Sequence, residues 1–178
     1  MIELDFLKLK YVFIKSAIFV LLFSILHFIY DLAPIVPFAV IGGVSESVFQ
    51  HLKLAFYAYL FLLPIEYVLL RKSIENKPSF LYTRLLITLF IPWTELIIWY
   101  IAPAIVGAEL PLAIELTYSF IVVYIMGILG GILEQSLYGV DFKRNARIVI
   151  VLLLGVAIFI FTVFTFVDPW IDVFMLPP

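Results

Sequence analysis

Residues 11–30 read YVFIKSAIFVLLFSILHFIY, and this run decides the fold. Its one formally charged residue is Lys15. A helix needs about 20 predominantly apolar residues to cross the hydrocarbon core of a bilayer. The run therefore predicts a membrane-spanning helix. It lacks the small-residue cleavage site of a signal peptide, so we expect this first span to be retained.

The composition of the whole chain excludes a soluble protein. Hydrophobic residues make up 65% of its 178 residues, charged residues make up 13%, and the mean hydropathy is +1.20. Soluble domains contain about 45–50% apolar and about 25% charged residues. There is no cysteine, which excludes disulfides, thiolate metal ligands and a cysteine nucleophile.

Five apolar stretches approach the length of a membrane span. They cover residues 11–30, 47–70, 81–104, 111–137 and 148–167. We therefore predict an all-α fold: a polytopic integral membrane protein with five transmembrane helices, forming one helical-bundle domain over residues 1–178. We expect a multi-pass protein of the cell membrane whose partners include membrane lipids.

The basic residues mark one side of the membrane. We assign ten of the eleven to the segment before the first stretch or to alternate gaps between stretches, counting Lys15 and Arg84 there although they lie just inside the first and third stretches. Only Lys53 lies elsewhere, and the ten are Lys8, Lys10, Lys15, Arg71, Lys72, Lys77, Arg84, Lys143, Arg144 and Arg147. Cytoplasmic loops retain Lys and Arg, so this pattern predicts a cytoplasmic N-terminus and an external C-terminus. Basic residues spread in this way indicate contact with anionic lipid and no nucleic-acid partner.

The segment between the first two spans, residues 31–45, is irregular. Pro34, Pro37, Gly42 and Gly43 interrupt an apolar run that is too short to span. We expect a loop or half-helix in the outer leaflet, shielded by protein or lining a wet cavity. Ser47 and Gln50 then form the pattern of a capping box that opens the second span.

The fourth span contains Gly127 and Gly131, a small-xxx-small pattern that lets a neighbouring helix approach closely. The neighbour belongs either to the same chain or to a second copy, so this face predicts either internal packing or a homo-oligomer. Small size and short loops also suit a non-catalytic subunit of a larger membrane complex.

Ionisable residues gather near the predicted outer ends of the first two spans. His27 and Asp31 are one helical turn apart, and Glu46 and His51 flank the start of the second span. These four side chains form a chemically sensible ligand set for Zn²⁺ or another divalent metal. A metal-activated water would make the site hydrolytic, with Glu46, Asp31 or Glu95 as the catalytic base.

Two other interpretations of these residues stay open. In a structural one, His27 and Asp31 bond to each other, His51 ties down the loop and Glu46 caps a helix. In the other, the carboxylates Glu46, Glu95, Glu66 and Glu134 relay protons or cations in a binding or transport protein.

Residues 43–53, GVSESVFQHLK, resemble the N-E-S-V-W-E-H-L-K motif of a family of uncharacterised small prokaryotic membrane proteins. Glu46, Ser47, His51 and Lys53 match that motif, whereas Ser45 stands in place of its Asn. Residues 27–31 and 164–174 also look like the ends of that family. The resemblance implies a membrane architecture and no known activity.

The same motif is similar, more distantly, to the N-E-T-x-N-x-x-T-H-L motif of progestin and adiponectin receptor-type proteins. Those proteins and the alkaline ceramidases are intramembrane metal-dependent lipid hydrolases with seven spans. This chain has five predicted spans and lacks the Asn, and the similarity covers about a dozen residues. The resemblance implies metal-dependent lipid hydrolysis.

Overall fold

The computed structural model describes residues 7–108, 110–167 and 169–175. In chain order its helices are α1 (Leu9–Leu32), α2 (Val36–Ile41), α3 (Val48–Leu70), α4 (Lys77–Val106), α5 (Leu112–Leu137) and α6 (Arg144–Phe166), followed by a 3₁₀ turn at Asp172–Phe174. Among the described residues, five helices are long and apolar enough to cross a membrane, and α2 is the one α-helix that is too short. The predicted all-α fold with five spans is confirmed, and the chain is a multi-pass membrane protein.

The ends of α4 lie beyond the predicted span because local signals extend the helix in both directions. Asn76 caps its start, where the side-chain oxygen accepts a hydrogen bond from the Ser79 amide at 3.0 Å. Pro78 in the first turn suits a helix start, since its missing N–H has no partner there. Gly107 ends the helix in the left-handed region, with φ of 70°.

The irregular segment between the first two spans contains the predicted half-helix, α2. Pro37 lies in its first turn, and Gly42 follows its last residue. Ser47 then caps α3 as predicted, with its hydroxyl accepting from the Gln50 amide at 3.4 Å. The reciprocal half of the capping box is not formed, since Oε1 of Gln50 has no hydrogen-bond partner in the described part of the chain.

Gly127 and Gly131 of α5 face α1 of the same chain. A Cβ added to Gly127 would lie 2.9 Å from Cα of Ser16, and one added to Gly131 would lie 2.9 Å from Cγ1 of Val12. The close approach predicted for this face is therefore made within the chain, and an oligomer would need another surface. A homo-oligomer and a larger membrane complex both stay predictions.

Most of the basic residues lie at one end of the bundle, where α1, α4 and α6 begin and α3 and α5 end. We call this the basic end. Its exposed side chains are those of Lys8, Lys10, Arg71, Lys72, Lys77, Lys143 and Arg144. Assignment of Lys15 and Arg84 to the flanking loops was wrong, because both are buried inside helices, at 2% and 3% exposure. Which end faces the cytoplasm stays a prediction.

Candidate functional site

Three of the four predicted metal ligands meet at the end of the bundle opposite the basic end. His27 lies near the end of α1, Glu46 just before α3, and His51 in the first turn of α3. One ligand atom from each lies within 4.8 Å of the other two. Nε2 of His27 is 3.5 Å and Nε2 of His51 is 3.6 Å from the same Glu46 oxygen, Oε2. We call this group the His/Glu triad.

The hydrogen bonding of His51 determines which ring nitrogen is free. Its Nδ1 lies 3.0 Å from the backbone carbonyl oxygen of Ser47. A carbonyl only accepts, so Nδ1 carries the proton, and in the neutral ring Nε2 keeps a lone pair. That lone pair faces the Glu46 carboxylate, which is also an acceptor. The pair is unfavourable unless a cation or a proton lies between the two atoms.

His27 presents its Nε2 to the same carboxylate oxygen. Its Nδ1 is buried and has no hydrogen-bond partner within the described ranges. The Nε2 atoms of two imidazoles therefore converge on one carboxylate oxygen. The site opens outward, since 65% of the Glu46 side chain is exposed, against 22% for His27 and 31% for His51.

Close packing of the 42–47 loop against α1 brings Glu46 near His27. The Gly43 amide donates to the Leu26 carbonyl at 3.3 Å. A Cβ at Gly42 would lie 2.5 Å from Cγ2 of Ile29 and 2.9 Å from the Leu26 carbonyl oxygen. Only glycine allows this approach.

Lys53 anchors the half-helix that precedes the loop. It is fully buried, and its Nζ donates to the Ala39 carbonyl at 2.8 Å and to Oγ1 of Thr165 at 2.9 Å. The ammonium thus joins α2, α3 and α6. In the sequence, Lys53 stood out as the exception to the charge pattern and as a match to the motif at residues 43–53, but neither signal predicted this buried role.

Asp31 and Glu95 do not join the triad. Asp31 is exposed at the end of α1, and Glu95 is buried in α4, at 5% exposure. Oε2 of Glu95 has no hydrogen-bond partner in the described residues. The predicted metal-ligand role of Asp31 and the catalytic roles of Asp31, Glu46 and Glu95 stay predictions.

The contacts expected if these four residues had only structural roles are formed only in part. No hydrogen bond joins His27 to Asp31 within the described chain, and the helix cap is Ser47 rather than Glu46. His51 does make a local backbone bond. However, that bond is to Ser47 in its own first turn and not to residues 31–45.

A second polar group, which we call the buried charge cluster, lies inside the bundle toward the basic end. Nζ of Lys15 is 3.0 Å from Glu66 and 2.5 Å from Glu134. Nε of Arg84 is 3.0 Å from Glu66, and its Nη2 is 3.6 Å from Glu134. Two cations and two carboxylates therefore compensate one another and join α1, α3, α4 and α5.

Two tyrosines complete the buried charge cluster. Tyr11 donates its hydroxyl to Oε1 of Glu66, and Tyr59 donates to Oε1 of Glu134 at 2.8 Å. The ammonium of Lys15 also lies 4.6 Å from the centre of the Tyr59 ring. Every charge in the cluster thus has hydrogen-bonding partners, which is the condition for tolerating charge inside a membrane protein.

Comparison with known protein families identifies the family of this chain. Residues 4–176 match the profile of a family of unknown function, DUF6512. The chain belongs to DUF6512. Searches of curated proteins and of solved structures gave no match.

Membership of DUF6512 agrees with the predicted resemblance to a family without a known activity. The motif at residues 45–53 and the likeness to receptor-type hydrolases stay predictions. For this DUF6512 protein, function must therefore be argued from the His/Glu triad and the other buried polar groups.

Proposed function

We propose that this protein binds one divalent metal ion of the zinc class at His27, Glu46 and His51. Two imidazole nitrogens and one carboxylate form the protein ligand set of several hydrolytic zinc enzymes, which leave a fourth position open. The observation that carries the proposal is the convergence of two Nε2 atoms on one oxygen of Glu46. A bound cation removes the repulsion between the lone pair on Nε2 of His51 and the Glu46 carboxylate.

The distances also suit a tetrahedral ion. Zinc–nitrogen and zinc–oxygen bonds of about 2.0–2.1 Å separate neighbouring ligand atoms by about 3.3 Å. The two His–Glu separations, 3.5 and 3.6 Å, need little adjustment to reach that value. The backbone bond that holds Nδ1 of His51 is the outer-shell support that metal-binding histidines usually have.

Metal-assisted hydrolysis of a lipid or another amphipathic substrate is the activity that we infer for this site. A bound zinc ion activates water as a nucleophile, and the exposed side of the triad gives substrate access. The triad lies at the end of two spans, where lipid headgroups meet water, so ester or amide bonds of lipids are the favoured substrate class. Glu46 would hold the ion, and of the two other predicted bases Asp31 follows His27 by one turn on α1.

Metal analysis of purified protein tests the binding step. We expect close to one zinc per chain in the wild type after incubation with zinc and removal of excess. We expect its loss in the double variant His27→Ala/His51→Ala, with folding checked by circular dichroism. Asp31→Asn is the matched control, because Asp31 lies on the same helix end outside the triad and should retain the metal.

Absence of zinc from the wild type, or equal zinc in the double variant, would overturn the proposal and leave protonated imidazoles facing Glu46. Hydrolysis is tested separately by incubating zinc-loaded wild type, and Glu46→Gln as the variant that lacks one zinc ligand, with fluorogenic ester and amide lipids. Binding without turnover would reject the hydrolase and retain the metal site.

A second candidate function is proton-coupled or ion-coupled transport. It is favoured by Glu95, a buried carboxyl group with an unpartnered oxygen inside a span. It has less support, because Glu46, Glu95 and the Glu66–Glu134 pair belong to three separate groups. Loss of proteoliposome flux in Glu95→Gln, with zinc content unchanged, would favour transport over hydrolysis.

A further inference from the structure

An open groove lies at the basic end, between α4 and the first turns of α6. Its volume is about 340 Å³, at the lower end of the range for small-molecule sites. The lining residues are Tyr82, Arg144, Arg147, Ile148, Val151 and Leu152. The groove is separate from the His/Glu triad and from the buried charge cluster.

Two arginines give positive charge to the part of the groove at the start of α6, and they differ in how firmly they are held. Arg147 is fixed: its Nε donates to the Phe142 carbonyl at 2.5 Å, and its Nη2 is 3.6 Å from the carboxylate of Asp141. Arg144 is exposed and has no hydrogen bond or ion pair with any residue that the structure describes. With Lys143 exposed beside it, the site keeps a net positive charge.

The lower part of the groove is apolar and faces outward. Ile148, Val151 and Leu152 are 47%, 52% and 63% exposed, on a helix apolar enough to span a membrane. A rise of 1.5 Å per residue places Val151 and Leu152 about 10–12 Å below Arg144 along the helix axis. Positive charge at the start of α6 and exposed apolar surface further along the helix match a molecule with an anionic head and a hydrocarbon chain.

The start of α6 adds donors for an anion. Its N-cap residue, Lys143, makes no side-chain capping bond, and no acidic residue lies in the first turn. Free N–H groups at a helix start favour phosphate. These groups supplement the two arginines in the same turn.

We propose that this groove binds one anionic phospholipid from the surrounding bilayer. Its phosphate lies on Arg144 with support from Arg147, and one acyl chain lies along Ile148, Val151 and Leu152. A phospholipid is favoured over free phosphate because the apolar part of the groove is continuous with the membrane-facing surface of α6.

Lipid binding by native mass spectrometry tests this proposal. Delipidated wild-type protein in detergent is titrated with phosphatidylglycerol and, separately, with phosphatidylcholine. We expect tighter binding of phosphatidylglycerol, weakened about tenfold in Arg144→Gln through loss of a charged hydrogen bond. Arg71→Gln is the matched control, since it removes one exposed charge at the same end away from the groove.

Further measurements distinguish a specific lipid site from diffuse charge attraction and from binding of phosphate alone. Leu152→Ala, which shortens the exposed apolar part, should also weaken phosphatidylglycerol binding. Equal losses in Arg71→Gln and Arg144→Gln would overturn the site in favour of diffuse attraction. Displacement of the lipid by equimolar inorganic phosphate would overturn the assignment to a lipid.

Discussion

Lys15 shows how a single charge is accommodated within this bundle. A lysine inside a membrane helix costs up to about 2.5–3.5 kcal/mol on insertion scales, the upper value applying at the helix centre. Here its ammonium meets Glu66 at 3.0 Å, Glu134 at 2.5 Å and the face of Tyr59. Because these partners come from α3 and α5, the ion pairs are available only when the helices are assembled.

Removal of one carboxylate from the buried charge cluster should destabilise the protein strongly. Glu66→Gln keeps the side-chain shape but leaves Lys15 and Arg84 with one carboxylate between them. Breaking a buried pair costs about 3–5 kcal/mol, so we expect a loss of that order in unfolding free energy, measured by denaturant titration in detergent. Glu75→Gln, at an exposed position, should change stability by no more than about 0.5 kcal/mol.

A double variant checks the cause of that loss. Lys15→Met combined with Glu66→Gln removes one charge of each sign and restores neutrality. The double variant should therefore be less destabilised than the two single losses added together. Additive losses would show that the charges act independently.

The sequence predicted the location of functional side chains correctly only for residue types that are rare in this chain. His27 and His51 are the only histidines, and their position near two span ends was enough to predict a shared site. Lys15 and Arg84 were misassigned because a cation near a span end has two physical solutions, a solvated loop or a buried ion pair. Only helix rotation decides between them, and periodicity did not fix that rotation.

At the scale of elements, the segment between α1 and α3 controls the His/Glu triad. The prolines, glycines and Ser47 predicted a short irregular element and the start of α3, and both were confirmed. The path of the segment across α1 was not predictable, because it depends on a backbone contact between Gly43 and Leu26 that no pattern encodes.

Gly42→Ala should separate Glu46 from His27. The added methyl group would lie 2.7 Å from the Phe38 carbonyl oxygen and 2.9 Å from that of Leu26, neither of which can move without shifting a helix. We expect reduced zinc binding with the helical content retained, measured by metal analysis and circular dichroism. Gly155→Ala is the control, since a Cβ there meets no atom within 4 Å. Unchanged zinc binding in Gly42→Ala would contradict the role given to this contact.

For the whole molecule, hydrophobic run length and charge placement predicted five spans, because crossing a bilayer demands about 20 apolar residues per helix. Which helices pack against each other was harder to predict. The glycines Gly127 and Gly131 indicated a close helix contact, but only their positions against Ser16 and Val12 show that α1 fills it. Small residues specify that a helix approaches and do not specify which helix.

Zinc should stabilise the whole bundle if the triad binds it. The three ligands come from α1, the 42–47 loop and α3, so an ion held by them links elements that separate on unfolding. Binding to the folded state alone adds about 2.7 kcal/mol when free zinc is 100 times its dissociation constant. For a chain of this length we expect a rise of roughly 5 to 10 °C in the melting temperature.

The melting experiment also distinguishes a specific site from general metal effects. His27→Ala/His51→Ala should show no zinc-dependent rise, and magnesium should not replace zinc in the wild type, because magnesium prefers oxygen ligands. An equal rise in the wild type and the double variant would place the zinc elsewhere on the molecule. A rise confined to chains with both histidines would establish that the two ends of α1 serve different purposes: charge pairing within the bundle at one end and a ligand site at the other.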